Sequence, residues 1–122
     1  MRWVTTAAAV EAAATGLILL VSPELFGRLI LGSELPEPGQ ALGRLTGIVL
    51  LGFAFASWPD PSARSVARAM LAYNLLATLY LGYLGYLGIV GKPVGVLLWP
   101  AVVLHMLLTV LLAADRVAAR RA

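Results

Sequence analysis

Three polar side chains stand inside long apolar stretches of this sequence, and they are the residues best suited to carry chemistry. They are Glu11, Asn74 and His105. A carboxyl group can bind or release a proton, an imidazole can act as acid or base, and an amide can hold either group in place. Ionisable side chains are costly within a membrane, so they usually pair with one another or serve a function. We therefore take these three residues as the candidate site.

A threonine follows each of these three residues after four positions. The threonines are Thr15, Thr78 and Thr109. Because residues four apart share a helix face, each of three helices should carry a narrow polar stripe. A rise of ~1.5 Å per residue places the three leading residues roughly 12 to 15 Å from the same membrane surface. The stripes are therefore predicted to converge inside the molecule.

Two roles for this convergent cluster are open. It could be a polar clamp that holds the helices in register, or a site for a ligand or a proton. Glu11 and His105 would form either an ion pair or a neutral hydrogen-bonded pair. Arg44 is a further candidate partner, although its long side chain could equally extend to the membrane surface. Both roles require that the three leading residues face the interior.

The composition indicates a membrane protein. Of the residues, 61% are apolar and 12% are charged, and the mean hydropathy is +0.90. Soluble domains have roughly 45–50% apolar and about 25% charged residues. The net charge of +3 comes from arginines near the ends of apolar stretches, which indicates membrane orientation and not nucleic-acid binding. The predicted partner is the lipid bilayer.

The residue types exclude or disfavour several chemistries. The chain has no cysteine and a single histidine, so thiol catalysis is excluded and no metal site is predicted. No hydrolase, metalloprotease or phosphate-loop signature is present in the sequence. We predict no cofactor and favour a protein that is not an enzyme.

Four apolar segments have the length of membrane spans. They cover residues 4–21, 39–57, 64–90 and 94–114. A helix needs about 20 residues to cross a hydrocarbon layer of ~30 Å. Since the connections are short, consecutive helices should be antiparallel. The prediction is a single all-α domain over residues 1–122, an antiparallel bundle of four transmembrane helices.

A short amphipathic helix is predicted over residues 23–31, between the first two spans. Ser22 has the type of a helix N-cap, Pro23 suits a first helical position and Gly32 suits a terminator. The apolar face of this helix indicates that it lies in the membrane surface. An acidic, proline-rich turn over residues 34–39 should then interrupt helical structure before the second span.

Two prolines mark the later spans. Asp60, which precedes Pro61, is predicted to cap the third span. Pro100 either bends the fourth helix or belongs to its first turn, and the sequence supports both readings equally.

Glycines supply the signals for helix packing. Gly39, Gly43 and Gly47 follow each other at intervals of four, a pattern that lets membrane helices approach closely. The sequence Tyr-Leu-Gly occurs three times over residues 80–88, which puts glycines on one face and tyrosines on the other. The tyrosines are interpreted as interfacial residues, with the lining of a ligand cavity as the alternative.

The distribution of basic residues predicts the orientation. Six of the nine Lys and Arg residues lie on the side of the chain termini, against Arg28, Arg44 and Lys92 on the other. Because basic residues concentrate on the cytoplasmic side, both termini are predicted to be cytoplasmic.

Several apolar motifs occur in an order seen in one group of membrane proteins. They are Gly-Leu-Ile-Leu-Leu-Val-Ser-Pro at residues 16–23, Arg-Leu-Thr-Gly at 44–47, Tyr-Asn at 73–74 and Leu-Leu-Trp-Pro-Ala-Val-Val-Leu-His at 97–105. In these motifs the chain resembles the small bacterial four-helix membrane proteins loosely grouped as DoxX-like. The resemblance covers most of the chain and implies a four-helix fold in the bacterial cytoplasmic membrane. That group has no settled activity to transfer.

A shorter motif resembles a second family. The run Val-Glu-Ala-Ala-Ala-Thr at residues 10–15 is similar to the first helix of the small multidrug resistance transporters, whose glutamate exchanges protons for cationic drugs. The later helices of this chain depart from that family's glycine and aromatic patterns. The resemblance therefore adds a transport alternative for Glu11 alone.

Three functions are compatible with these observations. The favoured one is a binding or accessory membrane protein whose polar cluster holds a lipid-like molecule such as a quinone, or which docks on a larger complex. The first alternative is a proton-coupled transporter, built as a homodimer, in which Glu11 binds substrate and proton alternately. The second is a small membrane enzyme that uses His105 as acid or base. The favoured function predicts an apolar cavity beside the cluster.

Overall fold

The chain forms an all-α bundle, as the sequence predicts. A computed structural model describes residues 2–58 and 63–122. The elements are α1 (Arg2–Val21), α2 (Pro23–Phe26), a π-helical turn (Gly27–Leu31), α3 (Glu37–Ala56), α4 (Arg64–Ile89) and α5 (Leu98–Arg121). Over the described ranges there is no β-strand. The cap predicted at Asp60 lies outside the described residues.

Four of these helices can cross a membrane. By length and hydropathy they are α1, α3, α4 and α5. Their outward faces carry large apolar side chains that are more than one third exposed, among them Leu76, Phe55 and Val110. Exposed apolar surface on every long helix is what a hydrocarbon solvent requires, so the fold is that of a small integral membrane protein.

The four long helices are arranged as two tightly packed pairs. In the first pair, α1 lies against α3, and in the second, α4 lies against α5. Gly16 and Gly47 hold the first pair close, because a Cβ atom on Gly47 would lie 2.8 Å from the amide nitrogen of Leu20. Gly43 faces Pro23 in the same seam. Gly39 instead faces Pro36 within its own turn, so it does not extend the stripe as predicted.

Glycines also shape the second pair. A Cβ atom on Gly85 would lie 2.7 Å from the Trp99 ring, and one on Gly88 would lie 2.8 Å from the Val94 side chain. A Cβ atom on Gly82 would have no described neighbour within 4 Å. Gly85 therefore receives the start of α5, and Gly88 receives the segment that precedes it. The tyrosines of the repeat, Tyr80, Tyr83 and Tyr86, are all exposed.

The two pairs meet at the end of the bundle that holds the chain termini, which we call the terminal end. A buried apolar cluster joins them there. Its members are Val4, Ala8, Ala9, Met70, Leu108 and Leu112. All of them except Leu108, which lies near the middle of α5, are in the half of their helix nearest the terminal end. This cluster therefore holds the two pairs together at the terminal end.

The fourth long helix begins later and ends later than its predicted bounds, residues 94–114. It starts at Leu98 because the residues before it bind the π-helical turn. The Gly95 amide donates to the Ile30 carbonyl at 3.0 Å, and the Leu97 amide donates to the Leu29 carbonyl at 2.8 Å. These bonds fix residues 95–97 in a turn, so the helix cannot begin at residue 94.

Two prolines lie in first turns of helices. Pro100 is the third residue of α5, so of its two readings the first-turn placement is correct. α3 begins at Glu37 with Pro38 at its second position, although the sequence predicts a non-helical turn up to residue 39. Both positions tolerate proline because the first amides of a helix have no intrahelical acceptor.

The short helix predicted over residues 23–31 is present in two parts, α2 and the π-helical turn. Ser22 occupies the N-cap position but makes no capping bond through its side chain, so its predicted capping role is wrong. Gly32 ends the segment with φ of +73°, a left-handed conformation that glycine adopts without strain.

Candidate functional site

The three leading polar residues are in contact in the bundle interior. The Oδ1 atom of Asn74 lies 2.9 Å from Nδ1 of His105, and Nε2 of His105 lies 3.5 Å from Oε1 of Glu11. Asn74 is fully buried and His105 is 5% exposed. The chain of contacts runs from α4 through α5 to α1, so it links the two helix pairs.

The amide of Asn74 determines which nitrogen of His105 carries a proton. Its Nδ2 atom donates to the Met70 carbonyl at 2.9 Å, which leaves Oδ1 facing the imidazole as an acceptor. The Nδ1 atom of His105 must therefore donate. This assignment follows from the hydrogen-bond network, and it leaves Nε2 to face Glu11.

The contact between Glu11 and His105 has room for one shared proton. With no proton between them, lone pairs of Nε2 and Oε1 would face each other across 3.5 Å. With one proton, the pair is either a carboxylic acid beside a neutral imidazole or a carboxylate beside an imidazolium. Both forms have no net charge, which suits a site inside apolar helices.

Thr15 completes the environment of the carboxyl group. Its hydroxyl donates to Oε1 of Glu11 at 2.7 Å. The second oxygen, Oε2, is buried and has no hydrogen-bond partner among the described residues. Oε1 of Glu11 therefore accepts a hydrogen bond, whereas Oε2 has no partner among the described residues.

The other two threonines bind the backbone of their own helices. Thr78 donates to the Asn74 carbonyl and Thr109 donates to the His105 carbonyl, both at 2.7 Å. The two hydroxyl oxygens lie 3.5 Å apart across the α4–α5 interface. The predicted polar stripes on these helices thus face each other, and they act within the second helix pair.

A cavity of about 650 Å³ lies between the two helix pairs, beside Glu11 and His105. Its walls are mostly aliphatic and aromatic, and residues from all four long helices line it. Phe26 and Ile30, from α2 and the π-helical turn, lie at the end opposite the terminal end. Wall residues Val10 and Leu104 are 60% and 43% exposed, so the cavity opens sideways onto the lipid-facing surface.

Sequence reasoning missed one wall residue, Tyr73. Its ring meets the His105 ring edge to face, with centroids 5.6 Å apart, and Phe53 packs against its other side at 5.9 Å. The Tyr73 phenol also interacts electrostatically with the Glu11 carboxyl group. The available signal was spacing, because Tyr73 precedes Tyr80 by seven residues and so shares its helix face.

Arg44 is not brought to the site. It is exposed and is not a wall residue of the cavity. Of its two readings, extension of the side chain toward the membrane surface agrees with this exposure. Among the described residues no group of three potential metal ligands is found.

Comparisons with known proteins add no relative. No family model, no curated protein and no solved structure matches this chain.

Proposed function

We propose that this protein binds a lipid-soluble small molecule in the cavity between its two helix pairs. One observation carries the proposal, namely an apolar cavity of about 650 Å³ whose wall includes Glu11 and His105. Ligand sites are mostly apolar, occupy about 300–1,000 Å³ and contain a few placed polar groups. The cavity meets each of these criteria.

A purely structural clamp gives no reason for this cavity. Polar side chains that hold membrane helices together are best served by close packing around them. Here empty space lies beside Glu11 and His105, whereas Met70 and Leu112 fill the interior at the terminal end. A void forfeits dispersion contacts that its lining residues would otherwise make. A ligand that fills the void restores those contacts.

The ligand should enter from the bilayer. Glu11 is the tenth of the 20 residues of α1, so it lies roughly 14 Å from either end of that helix. The exposed wall residues Val10 and Leu104 stand on the lipid-facing surface at similar depth. A molecule dissolved in the hydrocarbon layer could therefore reach the polar wall without crossing water.

We propose cytoplasmic termini on the basis of the arginine excess near them.

The proposal is tested by measuring how a probe binds to the wild type and to a variant whose cavity is filled by a larger side chain. The probe is N-phenyl-1-naphthylamine, titrated by fluorescence into lipid nanodiscs that contain the whole protein, with empty discs as background. We expect saturable binding to the wild type and at least a tenfold loss in Ala77→Phe, since Ala77 lines the cavity. Ala72→Phe is the matched control, because Ala72 is exposed on the same helix and lies outside the cavity wall. Equal saturable binding by both variants contradicts the proposal.

A second candidate function is proton-coupled transport through Glu11. It is favoured by the unpartnered Oε2 atom on a membrane-embedded carboxyl group, where a proton or a cation could bind in turn. The test is uptake of tetraphenylphosphonium into proteoliposomes driven by a pH gradient. Transport by the wild type that is lost in Glu11→Gln supports this candidate, and no gradient-dependent uptake rules it out for that cation.

The enzyme alternative has less support from the geometry. Both ring nitrogens of His105 face protein side chains, Asn74 on one side and Glu11 on the other. A general acid or base needs a nitrogen within hydrogen-bond reach of the substrate. His105 is therefore better suited to orient the Glu11 carboxyl group than to exchange a proton with a ligand.

A further inference from the structure

The hydrogen-bond inventory of the cavity wall restricts the chemistry of its ligand. Six polar side chains line the cavity: Glu11, Thr15, Thr46, Tyr73, Tyr80 and His105. The hydroxyl of Thr15 donates to Glu11, and that of Thr46 donates to the Leu42 carbonyl at 2.9 Å. Both ring nitrogens of His105 face other side chains. The donors of three of these six residues are therefore already engaged.

The unengaged atom deep in the wall is an acceptor. A proton shared by Glu11 and His105 would lie between Oε1 and Nε2, the two atoms that face each other across 3.5 Å. Oε2 of Glu11 is then without a hydrogen in both forms of the pair, and it lacks a partner among the described residues. Oε2 is shielded as the side chain stands, and the last torsion of glutamate, which has no sharp preference, can turn it to the cavity.

The two tyrosines leave Oε2 without a partner. The Tyr73 phenol stands in the same wall as the Glu11 carboxyl group, but Oε2 has no hydrogen-bond partner among the described residues. Tyr80 is 62% exposed and lies a full two turns from Tyr73 along α4. At the depth of Glu11, the described wall therefore offers an acceptor that has no hydrogen-bond partner.

We infer that the ligand is a neutral, lipid-soluble alcohol or phenol whose hydroxyl group donates to Glu11 at the centre of the membrane. This inference rests on the proposed function and specifies its ligand. A hydroxyl group satisfies the acceptor that the protein leaves without a partner. A molecule with only carbonyl acceptors, such as an ester or a fully oxidised quinone, leaves that acceptor without a partner.

Charge and depth exclude two other classes of ligand. With one shared proton the Glu11–His105 pair carries no net charge, so a cation beside it would be uncompensated unless it displaced that proton. A phospholipid keeps its headgroup at the membrane surface, whereas Glu11 stands at the midpoint of α1. A small neutral molecule with one hydroxyl group meets both constraints.

The test compares three probes that share one carbon skeleton. Geraniol carries a hydroxyl donor, geranyl methyl ether carries an acceptor alone, and geranylamine carries a cationic amine. Each is equilibrated by dialysis with nanodiscs that contain the whole protein, and bound probe is quantified chemically. Discs with Ala77→Phe, whose cavity is filled, supply the background from partition into lipid. We expect geraniol to bind about tenfold more tightly than the ether, the size of one well-placed hydrogen bond.

Substitution of Glu11 tests whether its carboxyl group causes the preference for geraniol over the ether. Glu11→Gln replaces one carboxyl oxygen with an amide donor, and we expect it to reduce the preference for geraniol below about threefold. Glu24→Gln is the matched control, since Glu24 is exposed and lies outside this cavity. It should keep the tenfold preference. Because the comparison of geraniol with the ether uses the wild type alone, it holds even if Glu11→Gln does not fold.

The outcomes separate this inference from the proposed function. Specific binding of the ether as tight as that of geraniol overturns the inference and leaves the binding function in place. Tightest binding of geranylamine also overturns it, in favour of a cation site. If no probe exceeds the Ala77→Phe background while N-phenyl-1-naphthylamine binds, the hydroxyl inference fails alone. If that dye also fails to bind, the proposed function fails with it.

Discussion

The helices within each pair and the two pairs themselves are joined in different ways. Within the first pair, backbones touch at Gly16 and Gly47, and within the second, side-chain hydrogen bonds join Asn74 to His105. Between the pairs, a buried apolar cluster packs at the terminal end, backbone hydrogen bonds tie residues 95–97 to the π-helical turn at the other end, and a cavity lies between these contacts. The contrast shows that this sequence can pack helices tightly where it has small residues. The cavity is therefore a feature of the fold and not a general looseness of packing.

The largest effect on stability should come from the packed contact between the pairs. Met70 is completely buried in the terminal cluster, so Met70→Ala leaves a cavity among three helices. We expect the free energy of unfolding to fall by about 3 kcal/mol. Met106→Ala is the control, since Met106 is 50% exposed on α5, and it should change stability by less than about 0.5 kcal/mol. Unfolding in mixed detergent micelles measures both, and equal losses would remove the distinction between packed and lipid-facing positions.

The seam of the first pair should respond next. A methyl group on Gly47 would lie 2.5 Å from the Gly16 carbonyl oxygen, so Gly47→Ala must push the helices apart. The expected loss is about 2 kcal/mol. Gly52→Ala is matched on the same helix, because a Cβ atom there has no described neighbour within 4 Å. Since alanine favours helix, Gly52→Ala should be neutral or stabilising by up to about 1 kcal/mol. No loss in Gly47→Ala would show that the seam is not tight, and an equal loss in both variants would show that the effect is not specific to the seam.

Removal of the amide tests the polar bonds within the second pair. Asn74→Leu leaves Nδ1 of His105 without its acceptor in a buried site. Hydrogen bonds between membrane helices are worth about 0.6 kcal/mol on average and up to about 1.7. We expect a loss of about 1–2 kcal/mol in the same unfolding assay. Thr46→Val is a suitable comparison, because the Thr46 hydroxyl binds its own helix and is exposed, and it should cost less than Asn74→Leu.

The smallest effect on stability is expected at the cavity. Ala77→Phe adds a ring to existing empty space, so the free energy of unfolding should change by less than about 1 kcal/mol in either direction. Binding of N-phenyl-1-naphthylamine should nevertheless be lost. Strong destabilisation would mean that the space is not available to a guest of this size. The matched variant Ala72→Phe should be neutral in both assays.

Much of the fold could be predicted from the sequence because hydrophobic length determines membrane spans. The third span, predicted over residues 64–90, agrees with α4 (Arg64–Ile89) to within one residue. The start of α5 could not be predicted, since it depends on bonds from Gly95 and Leu97 to a distant turn. Local signals contain no information about such a tertiary contact.

The site was partly predictable because helical spacing and depth can also be read from the sequence. Helical spacing and depth were enough to expect that Glu11, Asn74 and His105 lie close together, and the structure brings them together. Tyr73 was missed because a tyrosine in a membrane helix is usually read as an interfacial residue. The cavity could not be predicted, because its volume depends on the distance between two helix pairs. Whether the cluster binds a ligand remains a prediction.

Site-directed photolabelling tests the central claim most directly. A ten-carbon isoprenoid alcohol bearing a diazirine is irradiated with the whole protein in nanodiscs, and labelled residues are mapped by mass spectrometry. The binding function predicts label concentrated on the cavity wall, in residues 10–18 of α1 and 77–81 of α4, which excess geraniol removes and Ala77→Phe abolishes. Label spread over lipid-facing positions such as Leu76 and Val110, unaffected by either treatment, would contradict it.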